Sequence, residues 1–200
     1  MNKLTRYWLT WKHARKFARL GAGSKYPIPD LTIRGHAEMG EHCRMRNNAT
    51  LVAHGDGKVI FGTRSGLSWG CFIEANELVQ LGDYTAVAEF TYITDTIHHL
   101  AGNTGSKREA RIETRPVRIG NECFIGSSCF IGPGVTIGDG AVVAHHSVVT
   151  QDIGPLEIWG GAPARKMGHR TENVPAAKLR EFERLVAEQG IQRDRYQDDD

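Results

Sequence analysis

Residues 119–149 read IGNECF IGSSCF IGPGVT IGDGAV VAHHSV V, and an aliphatic residue opens every block: Ile119, Ile125, Ile131, Ile137, Val143 and Val149. A period of six excludes an α-helix, whose apolar stripe returns about every 3.6 residues. Six is a multiple of the strand alternation of about two. Each block can therefore be a short strand plus a turn, with the same side chain always facing inward. The next residue is small, as Gly120, Gly126, Gly132, Gly138 or Ala144. Segments this short cannot bury their inward faces alone, whereas successive coils stacked on one another share a continuous core. Three blocks make a coil of 18 residues, so Ile125 is expected over or under Val143, and Ile119 over or under Ile137. The expected fold class is an all-β solenoid.

Upstream the period persists in shifted frames: Ile33, Met39, Met45 and Leu51; then Phe61, Leu67, Ile73 and Val79; then Leu81, Val87 and Ile93. The shifts fall at Gly55–Lys58 and at Gln80. The position four residues after each aliphatic holds slim residues, among them Ala37, Ser65, Thr85, Thr91, Val135 and Ser147. All four cysteines, Cys43, Cys71, Cys123 and Cys129, share that phase. They read as small buried hydrophobes. Cys123 and Cys129 fall on different sides of a triangular coil, which excludes a disulfide or a zinc pair between them.

With 200 residues, 40% hydrophobic and 24% charged, the chain fits one globular domain with short terminal extensions. A net charge of +2 gives no ground for nucleic acid as a partner. No apolar run reaches the ~18–20 residues of a membrane span. The N-terminus lacks the apolar core and cleavage site of a signal peptide. A cytoplasmic, reduced protein is the expectation.

Residues 2–20 carry Leu4, Trp8, Trp11 and Leu20 near helical spacing among basic residues. They predict a helix that caps the open coil end, with a peripheral membrane contact as the second reading. Residues 175–194 predict another, from Pro175 and the stripe Leu179, Phe182, Leu185, Val186. The repeat stops between Ile93 and Val117, where Lys107, Arg108, Arg111 and Arg115 make the segment basic. That stretch reads as a loop thrown out of the coil, and its charge fits an anionic or nucleotide-linked acceptor as well as it fits a solvated loop. The boundaries expected are 1–30 for the N-terminal helix and lead-in and 31–158 for the coil, with an extruded loop at 98–117. Residues 159–200 form the exit segment and C-terminal helix.

The run at 119–153, WGGAPARKM at 159–167 and DTIH at 95–98 together resemble the hexapeptide-repeat acyltransferases. These include the maltose, galactoside, serine and xenobiotic acetyltransferases and the capsule-sugar O-acetyltransferases. The resemblance covers about residues 31–170. It implies a left-handed parallel β-helix, a homotrimer with sites between subunits, acetyl-CoA as co-substrate and a sugar or glycan acceptor. It implies no metal.

In such enzymes one histidine is the general base that takes a proton from the acceptor hydroxyl. The match puts it at His98, with the adjacent His99 as runner-up. A neutral imidazole suits that role. Asp95 could orient the imidazole or hold the acceptor. The N–H of Ser127 matches the oxyanion donor. Ala144 and the backbone of His145 match the pantetheine contact, although His145–His146 replaces the commoner Ala–Gly. Thr150, Trp159, Pro163, Arg165 and Lys166 match the CoA-contacting block; arginine suits phosphate, while Gln151 stands where many relatives have lysine. Glu74 and Asn76, one coil before Ile93, could hydrogen-bond acceptor hydroxyls; a solvated surface role is the simpler reading.

The function implied is acetyl transfer to a sugar hydroxyl. Acylation of a nucleotide-linked amino sugar and acetylation of an antibiotic are the alternatives. A zinc enzyme of carbonic-anhydrase type needs an H-x4-H pair, but His36 and His42 stand six apart and His98 and His99 are adjacent. A non-catalytic scaffold leaves the histidine and GGAPAR unexplained.

Overall fold

The structure, a computed structural model, describes residues 16–26, 31–99 and 111–172, together with Arg184. The chain divides into two units, Met1–Arg170 and Thr171–Asp200. Of the second, only Thr171, Glu172 and Arg184 are described.

The first unit is a parallel β-solenoid with three sheets as its sides. The first sheet stacks Arg19–Leu20, His36–Met39, Lys58–Phe61, Leu78–Leu81, Val117–Ile119 and Thr136–Ile137. The second stacks Arg44–Met45, Gly66–Leu67, Ala86–Val87, Phe124–Ile125, Val142–Val143 and Glu157–Gly160, then adds Arg165–His169 antiparallel at its edge. The third stacks Thr32–Arg34, Thr50–Ala53, Phe72–Ala75, Tyr92–Thr94, Phe130–Ile131 and Val148–Val149. The chain visits them in the order third, first, second, so each coil has three edges.

The predicted vertical pairs are present: Ile125 pairs with Val143 and Ile119 with Ile137. Met39, Leu51, Ile73, Ile93, Ile125, Ile131, Val143 and Val149 are fully buried. Each such side chain contributes about 1.5–3 kcal/mol of transfer free energy. The frame change at Gln80 is not a break. In Leu78–Leu81 both Val79 and Leu81 face inward, Val79 over Val59 and Leu81 over Phe61. The shift at Gly55–Lys58 is a wider turn at the edge from third to first sheet, closed by Gly57 N–H donating to the His54 carbonyl at 2.8 Å.

The slim positions do more than fit. Cys71 Sγ donates to the Ala88 carbonyl at 3.1 Å, Thr91 Oγ1 to Gly126 at 2.8 Å and Cys129 Sγ to Ala144 at 3.2 Å. Cys43, Thr85 and Cys123 do the same along the edge from first to second sheet. Each bond stitches one coil to the next and is worth about 0.5–1.5 kcal/mol net. The cysteines are therefore buried donors as well as small hydrophobes. All are free, and burial pushes their thiols up, that of Cys71 to about 11. Since the thiolate is the reactive form, an aromatic disulfide reagent is expected to titrate none of the four cysteines in the native protein within minutes. All are expected to react after denaturation, followed by absorbance.

The predicted N-terminal helix needs correction at its end. Residues 16–18 form a turn, and Arg19–Leu20 is a strand paired with Glu38–Met39. The first coil edge presents unpaired backbone groups, and Ala18 N–H and Gly21 N–H satisfy the carbonyls of Ala37 and Met39. Strand pairing therefore wins over helical spacing there. Residues 1–15 lie outside the described residues, as does the 175–194 helix except for Arg184, which is helical. Among the described residues no helix is long and apolar enough to cross a membrane.

Candidate active site

The insertion leaves the solenoid at the edge from third to first sheet as a two-stranded antiparallel ribbon, Thr96–His99 against Arg111–Thr114. Residues 100–110, with Lys107 and Arg108, lie outside the described residues, as does the side chain of Arg111. The ribbon separates the two histidines. His99 Nε2 is tied to Glu113 Oε2 at 2.8 Å, and Glu113 also meets Arg115 Nε at 3.2 Å. His98 is exposed and close enough to Glu74 for its charge to act on that carboxylate.

Glu74 is the hub of this edge. Its Oε1 meets His54 Nε2 at 2.9 Å, and its Oε2 accepts from the Tyr92 hydroxyl at 2.7 Å. Burial raises its pKa, but the hydrogen bonds from Tyr92 and His54 and the charges of His54 and His98 outweigh that and lower it. Burial and the Glu74 carboxylate push the Tyr92 hydroxyl up to about 12. The sequence singled out Glu74 as a candidate but neither of its partners, His54 and Tyr92. Tyr92 could have been found from phase, since it faces outward one coil from Phe72, the edge-on aromatic neighbour at 5.4 Å. His54 lies at the threshold of the frame shift, where phase gives no guide.

Asp95 does not turn toward His98. Its fully buried carboxylate accepts the N–H groups of Asn76 at 2.9 Å, Glu77 at 2.7 Å and Leu78 at 2.8 Å, and the Thr96 hydroxyl at 2.8 Å. Three successive amides form a nest that binds an anion. The expected orienting role is thereby corrected to an anchoring one, because the acceptor capacity of the carboxylate is spent on the coil below. Asn76 belongs to the same anchor: its Nδ2 donates to Thr96 Oγ1 at 2.7 Å.

Ser127, Ala144 and His145 stand on the edge from second to third sheet, while Trp159, Arg165 and Lys166 lie in the last two strands of the second sheet. Ser127 and His145 occupy equivalent positions in successive coils, as their spacing predicts. A Cβ on Gly126 would lie 2.6 Å from the His145 backbone nitrogen, so only glycine permits this approach. The Ser127 N–H donates to His145 Nδ1 at 2.8 Å, and Ser127 Oγ lies 2.8 Å from the same nitrogen. The amide expected to serve as oxyanion donor thus already has an acceptor.

Ala144 N–H donates to the Trp159 carbonyl at 2.8 Å, and Thr150 is exposed just after Val148–Val149. GGAPAR is the turn between Glu157–Gly160 and Arg165–His169. It docks on the third sheet through Val148 N–H to Gly161 O at 2.9 Å and Ala164 N–H to Val148 O at 2.8 Å. Gln151 Nε2 donates to the Ala164 carbonyl at 3.3 Å, an internal use for that residue. Pro163 and Arg165 are exposed, and Arg165 Nη1 reaches only its neighbour, the Ala164 carbonyl, at 2.8 Å among described contacts.

Glu157 binds Lys166 Nζ at 2.7 Å and Trp159 Nε1 at 2.8 Å. Lys166, the Trp159 N–H and the Gly154 N–H hold the Glu157 carboxyl down at about 2. Lys166 is therefore paired within the chain rather than free for phosphate, and Trp159 packs partly buried on the core. Within one chain, no described contact joins the His98 edge to the Ser127 edge.

A family profile described as "Bacterial transferase hexapeptide (six repeats)" matches residues 116–151. The "Probable acetyltransferase Rv3034c" of Mycobacterium tuberculosis is 30% identical over 199 residues; the match takes in 95% of this chain and spans 65% of that protein's length. Among solved structures, AntD, an N-acyltransferase of Bacillus cereus in complex with dTDP and 3-hydroxybutyryl-CoA, has a TM-score of 0.75 at 21% identity, covering 90% of this chain and 95% of that one. A galactoside acetyltransferase in complex with coenzyme A has a TM-score of 0.57 at 21% identity, covering 86% and 74%. The solved structures share the solenoid, the family profile shows bacterial-transferase hexapeptide repeats over residues 116–151, and the mycobacterial relative, of which this chain spans just under two thirds, is a probable acetyltransferase: together they support a place among the hexapeptide-repeat acetyltransferases.

Proposed function

We propose that the protein is an acetyl-CoA-dependent acetyltransferase acting on a hydroxyl of a sugar or polysaccharide precursor, with His98 as general base. The observation that carries this reading is the sorting of the two ribbon histidines. His99 is held by Glu113, which leaves the exposed His98, within electrostatic reach of Glu74, to meet an acceptor. His98 takes the hydroxyl proton as the oxygen attacks the thioester carbonyl. The Ser127 N–H stabilises the oxyanion, the C–S bond breaks, and the sulfur leaves with the proton returned by His98. CoA lies along Ala144, the His145 backbone, Thr150, Trp159, Pro163 and Arg165. Lys166 joins it only by leaving Glu157. Glu74 contributes to the acceptor side.

The site lies between subunits of a left-handed, trimeric assembly, since His98 and Ser127 stand on different edges of one prism. The outward aromatic column of Phe72, Tyr92 and Phe130, with Phe90 68% exposed at the adjoining edge, supports a subunit face there. N-acylation of a nucleotide-linked amino sugar is the second reading, supported by the likeness to AntD over nearly the full length. Free-thiol release from acetyl-CoA, followed over a panel of sugars, glycan fragments and nucleotide-linked amino sugars, tests both. Release with hydroxyl acceptors is the expected result, release with amines alone selects the second reading, and no release with any acceptor defeats the proposal.

A further inference from the structure

Where the first sheet turns into the second, the corner amides of three successive coils are each satisfied by the corner side chain of the next. Thr63 N–H donates to Asp83 Oδ1 at 2.7 Å, Asp83 N–H to Asn121 Oδ1 at 2.8 Å, and Asn121 N–H to Asp139 Oδ1 at 2.8 Å. These three corner amides thus each take a side-chain acceptor from one coil further on. At the edge from second to third sheet the Ser127 amide follows the same rule, but its acceptor is the imidazole of His145. Because a backbone N–H can only donate, Nδ1 accepts, and the other ring nitrogen carries the proton.

This acceptor differs from the other three. Asp83, Asn121 and Asp139 are short side chains. His145 is an exposed ring whose other described contacts are an edge-on approach to Phe124 at 6.3 Å and the charge of Glu89. Nδ1 has one lone pair, which the Ser127 hydroxyl also reaches at 2.8 Å. The Ser127 amide has one hydrogen, which cannot serve two acceptors fully.

We propose that His145 is a displaceable cap on the Ser127 amide, and that an acyl thioester binds by exchanging its carbonyl oxygen for the imidazole nitrogen on that N–H. This rests on the reading of Ser127 as the amide that meets the acyl carbonyl. The cap keeps the corner amide satisfied in the empty protein and competes with the acyl group for it. It therefore sets affinity for the acyl form of the co-substrate, while CoA, which has no thioester carbonyl, does not compete with it.

The test is calorimetric binding of acetyl-CoA and of CoA to the wild-type protein, His145→Ala and His145→Asn. Alanine removes the acceptor and is expected to tighten acetyl-CoA about three- to tenfold, the range of one net hydrogen bond, with CoA unmoved. Asparagine keeps an acceptor, as at the Asn121 corner, and is expected to leave acetyl-CoA no tighter than in wild type. In turnover the alanine effect belongs in KM for acetyl-CoA rather than in kcat. Weaker acetyl-CoA binding by His145→Ala, or equal shifts for acetyl-CoA and CoA, would overturn the cap and leave the acyltransferase reading intact. A wild-type protein that binds neither compound would remove that reading and the cap with it.

Discussion

Acetyl transfer by the His98→Ala protein is expected to fall by about 10²- to 10⁴-fold in kcat, the usual contribution of a positioned general base. Three features of the ribbon lead to that figure. His98 is exposed, so its loss empties no core and leaves the thermal midpoint within about 2 °C of wild type, as for surface substitutions. The neighbouring His99 is held by Glu113, so it cannot take over without breaking that pair. Glu74, the nearby carboxylate, is held in its charged form by Tyr92 and His54, but both of its oxygens are already engaged, which leaves it a poor substitute base. The measurement is thiol release at saturating acetyl-CoA with the best acceptor from the panel, beside a thermal melt. A variant that retains the wild-type rate sinks the base assignment, and loss of rate in His99→Ala instead moves it one residue along. An amine acceptor needs less help from a base than a hydroxyl does, so a loss nearer tenfold would favour amine transfer.

The solenoid was legible because its cause is periodic. A side chain that faces inward at Ile119 must do so again at Ile125 and Ile131, and the stacking of Ile125 on Val143 follows from the length of a regular coil. The site was legible in part. The interruption after Ile93 marked where the chain leaves the coil, and the resemblance put the candidate base His98 on that segment, but the partners of Glu74 depend on which side chains stand one coil away. His54 reaches Glu74 from a corner widened by extra residues, and no period predicts where such a corner puts its side chain. Asp95 was misread for a related reason. Its partners are backbone amides, which leave no mark on residue identity. Arg19–Leu20 was misread because its local spacing suits a helix, whereas the unsatisfied edge of the coil decides the outcome. The pairing of Lys166 with Glu157 hid behind a resemblance that assigns lysines in that block to phosphate.

Asp95→Ala is expected to lower stability by about 3–5 kcal/mol, since three N–H groups lose their acceptor and each unmade bond costs about 1–3 kcal/mol. Some of that cost returns where water reaches the exposed residues Asn76 and Glu77. For a chain of this length the melting point should fall by about 10 °C. Activity is expected to fall as well, because Asp95 is the root of the ribbon that carries His98. Its own carbonyl accepts Arg115 N–H at 2.8 Å from the returning strand, while its carboxylate grips residues 76–78 of the coil below. Asp95→Asn separates anchoring from chemistry. The amide keeps one oxygen for the Glu77 and Leu78 N–H groups but turns a donor toward Asn76 N–H, so it should cost roughly half as much as alanine. If Asp95 anchors, rate and stability decline together across Asp, Asn and Ala, read by urea unfolding and by kcat below the melting transition. An Asn variant as stable as wild type yet inactive would return Asp95 to the chemistry, and the nest formed by 76–78 would then be incidental to why an acid stands at that corner.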